Sequence, residues 1–387
     1  MKSSTMITKE YSQWQSGFWS LMATQFQNAF SDNALKNLVV LLLLARVSEA
    51  DANTHVALAG ALFAAPFILF SMLGGWLADR FSKQKVMKWV KAAEIGIMLF
   101  AALALGSRRL LLELIAIFLM GCHSAIFGPS KYGILPEVLP LEKLSWGNGL
   151  LELLTFLGVI LGTITGAFFA AFFEDQPSIA GMLLAVIAVI GWHCSKHIPK
   201  VPAANPSCPL RINPIADLWR QMRLMQCDRD LWRANWGNAG FFFIAALVQM
   251  NLVLYAKGVL SLSEAQNGFL NAALAVGIGT GSVVAGYASR GRIEYRLIPI
   301  GALLLALGAF LMGIPKVGTA VFSSALALLG FGGGLFIVPV AAVLQHRPNA
   351  ETKGAVQGAA SVLSFLGILA ASGMQIFLTQ TLQMNTG

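Results

Sequence analysis

Apolar runs about twenty residues long, separated by short polar breaks, recur along almost the whole chain, and each is long enough to cross a hydrocarbon core as a helix. They fall near residues 17–45, 56–78, 86–106, 109–129, 146–172 and 179–197, and then near 234–256, 266–288, 295–314, 317–344 and 355–380. The pattern predicts six helices, a polar stretch from Ser195 to Arg233, and five more helices. Composition agrees. Of 387 residues, 56% are hydrophobic and 12% charged, with a mean hydropathy of +0.68; a soluble domain carries about twice that charge fraction. The expected fold class is an all-α polytopic membrane protein.

The formal net charge of +9 would suggest a nucleic-acid partner in a soluble protein, but its distribution gives it another meaning. With the N-terminus in the cytoplasm, most of the 27 Lys and Arg fall in cytoplasmic breaks, Lys91 and Lys131 among them. The opposite side holds Arg46, Arg108, Arg109, Lys257 and Lys316. That bias orients the chain, and the Arg108–Arg109 pair is its local exception. No nucleic-acid partner is expected. The first apolar run carries Asp32 and Lys36 and is too long for the core of a secretory signal.

That first run also holds the most informative polar residues. On a helix, Gln25, Asn28, Asp32 and Lys36 share one face, with Asn33 beside them. A carboxylate and an ammonium inside a membrane are costly unless they pair or face a wet cavity, so they mark a candidate binding site; the plainer alternative is an ion pair that pins neighbouring helices. Asn148 and Glu152 on the fifth helix are further candidates. Glu152 could bind a cation, carry a proton or gate a cavity, or it could snorkel to the interface. Lys131 and Tyr132 are placed at the cytoplasmic end of the fourth helix, where they could guide an anion or anchor the helix at the interface. Glu94 and Glu113 lie close to helix ends and are given no role.

A shift of about 210 residues aligns the two halves of the chain. Phe26-Gln27-Asn28-Ala29 falls on Trp236-Gly237-Asn238-Ala239, and Ala78-Asp79-Arg80 on Ala288-Ser289-Arg290. Pro129 and Pro339, each expected at a helix end, coincide, as do Asn148-Gly149 with Gln357-Gly358 and Phe156-Leu157-Gly158 with Phe365-Leu366-Gly367. Tandem halves of this kind are the plan of many secondary transporters. The expected organisation is therefore a six-helix bundle over 1–197, a cytoplasmic linker over 198–233, and a second bundle over 234–387 with five helices present. The twelfth helix that the repeat calls for would lie beyond Gly387, as it would in a piece of a longer polypeptide. Asp32 falls on Phe242 and Lys36 on Ala246, so the charges belong to one half only.

The linker is rich in proline up to Pro214 and continues into Ile215–Leu231, which reads as one amphipathic, basic surface helix lying along an anionic leaflet. Gly158, Gly162 and Gly166, with Gly277, Gly279 and Gly281, would let helices approach closely. Cys122, Cys194, Cys208 and Cys227 have no metal-ligand spacing and suggest no disulfide framework. No nucleophile–base pair, metal spacing or phosphate loop is apparent. Neither enzymatic activity nor a cofactor or metal is expected.

Gly75, Leu77, Asp79 and Arg80, within Gly-Trp-Leu-Ala-Asp-Arg-Phe-Ser-Lys-Gln-Lys (75–85), resemble the loop between helices two and three of the major facilitator superfamily. Ser82 and Gln84 depart from its pattern. The resemblance implies that Gly75, Asp79 and Arg80 form a conformational gate holding the halves together on the cytoplasmic side. Asp79 would there face the N-terminal dipole of a second-half helix.

Phe-Ser-Asp-Asn-Ala-Leu-Lys (30–36), Gly-Pro-Ser-Lys-Tyr-Gly-Ile-Leu-Pro-Glu (128–137) and Asn-Gly-Leu-Leu-Glu (148–152) together resemble the lysophospholipid transporter branch. That branch implies transfer of lysophospholipid, notably lysophosphatidylethanolamine, from the outer to the inner leaflet of the bacterial cytoplasmic (inner) membrane for re-acylation. Its partners are membrane lipids and, in some relatives, an acyltransferase or acyl-activating domain, separate or fused. Asp32 would then take the headgroup ammonium and Lys36 the phosphate. Two other readings compete: a proton-coupled exporter of amphipathic small molecules, and a non-transporting anchor for an acyltransferase.

Overall fold

In a computed structural model, residues 2–47, 49–210, 213–258, 264–314 and 318–378 are described. Twelve helices account for most of them: α1 (Lys2–Leu44), α2 (Glu49–Arg80), α3 (Lys83–Ser107), α4 (Leu110–Val138), α5 (Leu144–Phe172), α6 (Pro177–Lys196), α7 (Pro214–Gln226), α8 (Arg229–Gly258), α9 (Glu264–Ala288), α10 (Leu297–Met312), α11 (Thr319–His346) and α12 (Lys353–Ile376). The described residues contain no strand. Among the described residues, eight helical spans are long and apolar enough to cross a membrane, and α10 is a shorter apolar helix. The chain is a multi-pass, all-α membrane protein.

Three expectations are corrected. Pro129 and Pro339 do not end their helices. α4 runs on to Val138 and α11 to His346, because packing against neighbouring helices tolerates a proline inside a membrane helix. Lys131 and Tyr132 therefore lie within α4 rather than at its end. The surface helix expected over 215–231 is two helices. Asn213 Oδ1 accepts from the backbone N–H of Ile215 and Ala216 at 3.1 and 3.0 Å to start α7. Asp228 Oδ1 does the same for Asp230 and Leu231 at 3.0 and 3.1 Å to start α8. A side-chain oxygen that satisfies free N–H groups in this way restarts the helix.

Packing divides the chain into two compact units. One comprises Met1–Pro140, Leu157–Met222 and Pro348–Ser361; the other comprises Leu141–Phe156, Arg223–Arg347 and Val362–Gly387. The first two turns of α12 thus pack with the first unit, and the first half of α5 with the second. Within the first unit α2 lies on α4, α3 on α4 and α6, and α1 on α4 and α6. Within the second, α11 is central, contacted by α8, α9 and α10.

Lipid is as apolar as a leucine side chain, so these contacts depend on close packing and polar links more than on the hydrophobic effect. The glycines show how. A Cβ at Gly158, Gly162 or Gly166 of α5 would come within 2.7, 2.3 or 2.5 Å of the Phe26, Phe30 and Ala34 carbonyls of α1. A side chain on that stripe would force the two helices apart.

Candidate functional site

The polar face of α1 leads into a buried network. Asp32 Oδ2 accepts a hydrogen bond from Ser124 Oγ at 2.6 Å and another from Asn28 Nδ2 at 3.1 Å. Lys91 Nζ donates to Asn28 Oδ1 at 3.2 Å and forms an ion pair with Glu94 one turn along α3. Glu94 also accepts from Gln27 Nε2 at 2.9 Å, and Gln27 donates in turn to Ser31 Oγ at 2.8 Å. His123 Nε2 stands 3.4 Å from Glu94 Oε2, and its Nδ1 stands 3.4 Å from Ser124 Oγ. Ser124 has one hydrogen, which Asp32 takes, so His123 Nδ1 is the donor in that last contact. Lys91 and Glu94 are 0% exposed. Such a network is tolerated because its polar groups are mostly matched; an unmatched one would be expensive.

Among the described residues four buried atoms of the network have no hydrogen-bond partner: Gln27 Oε1, Glu94 Oε2, His123 Nε2 and Asp32 Oδ1. Of these, Asp32 Oδ1 belongs to a carboxylate whose other oxygen is doubly bonded. One turn farther on, Lys36 Nζ lies over the Phe63 ring, 5.2 Å from its centroid. A half-committed carboxylate and a cation resting on an aromatic face thus share α1, inside a membrane-spanning bundle.

The other expected site residues are placed as follows. Gln25 is buried. Asn33 Nδ2 donates to the Ala29 carbonyl of its own helix at 2.8 Å. Lys131 Nζ sits 4.2 Å from the centroid of its neighbour Tyr132. Asn148 and Glu152 lie in the second unit. Asn148 forms a reciprocal amide pair with Gln345, its Nδ2 to Oε1 at 2.9 Å and Gln345 Nε2 to its Oδ1 at 2.7 Å, so its amide is committed. Glu152 is buried.

Gly75, Asp79 and Arg80 meet the start of α12 and the linker, all within the first unit. Asp79 Oδ1 accepts from Gly354 N at 2.6 Å and Oδ2 from Ala355 N at 2.8 Å. Both oxygens therefore face the N-terminal dipole of α12. A Cβ at Gly75 would come within 2.5 Å of the Gly354 carbonyl, so only glycine permits this crossing. Arg80 Nη1 and Trp76 Nε1 both donate to the Cys208 carbonyl, at 2.5 and 3.2 Å. Nearby, Lys83 Nζ bonds Glu137 Oε1 at 2.7 Å.

Sequence reasoning missed Lys91, His123, Ser124, Gln27 and Ser31, and gave Glu94 no role. Lys91 had been counted among the orienting charges. Its signal was the spacing to Glu94, which places both on one helical face, but nothing local announced a partner on α1. Glu113 likewise takes a bidentate bond from Arg46 at 2.9 and 2.7 Å. The Arg108 exception to the charge bias has a local cause: its Nη2 donates to the Glu174 and Asp175 carbonyls at 3.1 and 3.0 Å. Among the described residues no group of His, Cys, Asp or Glu is placed to hold a metal ion.

Comparison with known proteins places this geometry in context. A sequence profile of the Major Facilitator Superfamily matches residues 16–372. Lysophospholipid transporter LplT of Enterobacter sp. (strain 638) is 29% identical over 337 residues, 86% of this chain and 81% of that protein. Its counterpart in Salmonella newport (strain SL254) is 29% identical over 346 residues, 86% of this chain and 80% of that protein. Among solved structures, the human organic anion transporter MFSD10 (TETRAN) superposes with a TM-score of 0.79 at 17% identity, covering 96% of this chain and 95% of that one. The proton:xylose symporter XylE superposes with a TM-score of 0.73 at 13% identity, covering 97% and 90%. At these identities the structural likeness is one of fold.

Proposed function

Because this chain belongs to the Major Facilitator Superfamily, we propose that it carries lysophospholipid, foremost lysophosphatidylethanolamine, from the outer to the inner leaflet of a bacterial cytoplasmic membrane by alternating access. The relatives named lysophospholipid transporter support the substrate class. The observation that carries the reading is the pairing of Asp32, one oxygen unpartnered, with Lys36 one turn away on α1. A zwitterionic headgroup offers an ammonium to the first and a phosphate to the second. The acyl tail stays in lipid. Burying a methylene is worth about 0.8 kcal/mol, so drawing a sixteen-carbon chain into water would cost roughly 12 kcal/mol.

Alternating access needs a latch that can open. Asp79 serves as that latch on the cytoplasmic side, with Gly75 allowing the approach and Arg80 tying the linker to α2. Its bonds to Gly354 and Ala355 add a charge–dipole attraction that is strong when made and lost when α12 moves away. The N-terminus lies in the cytoplasm, as the charge bias requires, and the lipid delivered to the inner leaflet is a substrate for an acyltransferase.

Transfer of labelled lysophosphatidylethanolamine into the inner leaflet of proteoliposomes tests the reading. Asp32→Asn and Lys36→Gln are each expected to lower the transfer rate at least about tenfold, the loss of one charge-assisted bond. Wild-type rates in both variants would sink it. A second reading, proton-coupled export of amphipathic molecules, draws support from the buried juxtaposition of His123 and Glu94. Transport driven by a pH gradient and indifferent to lysophospholipid would favour it.

A further inference from the structure

We propose that the Lys85 end of α3 and the Lys196 end of α6 together form a surface site for an anionic diacyl phospholipid of the surrounding leaflet. That lipid is a resident of the bundle and not its cargo: none of the residues below belongs to the polar face of α1.

Both helices lie in the first unit and pack on each other. Gly181 lies against Ala102 and Gly106 against Ser178, so α3 and α6 run antiparallel. Fourteen residues back from Ala102 is Lys88, and fifteen on from Gly181 is Lys196. Because every residue of a helix rises by the same amount, these two lysines reach one level. Tryptophans mark that level. Lys196 Nζ lies 3.3 Å from the centroid of Trp192, and Lys85 Nζ lies 4.8 Å from that of Trp89. Phe81 meets Trp89 edge-on at 5.7 Å, and Trp89 is still 45% exposed. An indole that is partly apolar and partly wet belongs at headgroup depth. A lysine stem laid beside it carries its ammonium to the lipid phosphates.

The cations have no carboxylate nearby along the chain. Lys83 and Lys91 are turned inward, buried and ion-paired. Lys85 is exposed and Lys88 half-buried, and no Asp or Glu occurs in residues 81–93 or 187–216. Below Trp89, the outward stripe of α3 turns small and then apolar: Ala92, Gly96, Leu99 and Leu103, at helical spacing. All four are exposed, and a Cβ on Gly96 would meet nothing within 4 Å. At the matching level of α6, Val186 and Ile190 are exposed as well. Ammonium groups set above a shallow apolar groove fit a phosphate with an acyl chain beneath it. An acidic soluble protein would meet the lysines and leave the groove unused. Charge needed only to orient the chain explains neither the rings nor the groove.

Native mass spectrometry of the full chain in a neutral detergent tests the site by counting bound phosphatidylglycerol and phosphatidylcholine of identical acyl chains. The first variant combines Lys85→Gln, Lys88→Gln and Lys196→Gln. A control removes the same charge elsewhere, with Arg220→Gln, Arg223→Gln and Arg229→Gln at exposed positions of α7 and α8. The lysine triple is expected to weaken phosphatidylglycerol binding at least about tenfold and the control less than about twofold, with phosphatidylcholine little changed in either. Gly96→Leu, which fills the groove without altering charge, should weaken phosphatidylglycerol binding about threefold. Lys36→Gln tells this site from the face of α1 and should leave phosphatidylglycerol binding within about twofold. Equal losses in the two triples would reduce the effect to general charge attraction and overturn the site. A loss confined to Lys36→Gln would move the lipid to α1 and overturn it too, as would wild-type binding by the lysine triple or by Gly96→Leu.

Discussion

The same helices were used twice in this chain, and the two copies solved the interior in opposite ways. With the repeat offset of about 210 residues, Asp32, Lys91, Glu94, His123 and Ser124 of the first unit correspond to Phe242, Gly301, Leu304, Gly333 and Gly334 of the second. The first copy fills its centre with matched charges. The second fills it with rings and backbone, and where His123 would stand it leaves an apolar cavity of about 30 Å³, lined by Phe241, Ile244, Leu305 and Gly333 among others. At these positions the first unit presents charge, whereas the second presents apolar surface; the buried polar links of the second unit, such as Asn148–Gln345 and Asn238–Ser364, are neutral pairs. The contrast extends to the helix ends. Glu137 corresponds to Arg347, yet Glu137 binds Lys83 with no exposure of the lysine side chain, whereas Arg347 binds Asp228 at a solvated surface.

The largest expected effect comes from breaking the charge balance of the first copy. Lys91→Met leaves Glu94 ionised and unpaired among buried groups, at a cost of about 3–5 kcal/mol. Thermal unfolding in detergent would register the loss, and adding Glu94→Leu should restore most of it. A double variant no more stable than Lys91→Met would show that the pair is not what balances this interior.

Carrying a polar group the other way sharpens the comparison. Gly333→His places an imidazole against Phe241 and Leu305, with no donor or acceptor in that lining, and is expected to destabilise by about 1–3 kcal/mol. The same unfolding measurement decides; a neutral effect would mean the second interior is as accommodating to polar groups as the first.

The smallest effect lies at the surface. Arg347 holds the Asp228 carboxyl below its ordinary value through a side-chain hydrogen bond. A lowered carboxyl value stabilises the fold above the unfolded value of about 3.9, and that contribution is lost as pH falls through the lower folded value. Screening keeps it under about 1 kcal/mol. Asp228→Asn should therefore lower the unfolding temperature slightly at pH 7, with the difference disappearing once the pH falls below the lowered folded value. A difference that persists in acid would point to a packing role for Asp228 instead.

Much of the architecture was legible before any coordinates. Hydropathy located every membrane helix to within a few residues at most ends, because a lipid-crossing helix must satisfy its backbone internally and cover it with apolar side chains. The exceptions are the start of α1, which extends to Lys2 against an expected start near residue 17, the start of α2 at Glu49 against 56, and the end of α4 at Val138 against 129; helix formation there continues into sequence where hydropathy gives no signal. The candidate site was only partly legible. Asp32 and Lys36 announced themselves as charges in an apolar run, and Asp79 was expected to face a helix N-terminus. Asn148 was named as a ligand, yet its amide closes on Gln345, 197 positions away.

What the sequence determined by itself is therefore what local periodicity and composition can encode: the helices, their repetition, and the placement of intramembrane charge in one half only. The tertiary structure alone decided which charges meet. Lys91 looked like one more orienting cation until packing of α1, α3 and α4 put it beside Asn28, and Glu94 looked like a carboxylate near a helix end until Gln27 and His123 closed on it. The physical reason is range. A helix fixes neighbours three and four positions apart, while the bonds of this buried network join residues 63, 67 and 92 positions apart; only the packed bundle brings them within reach.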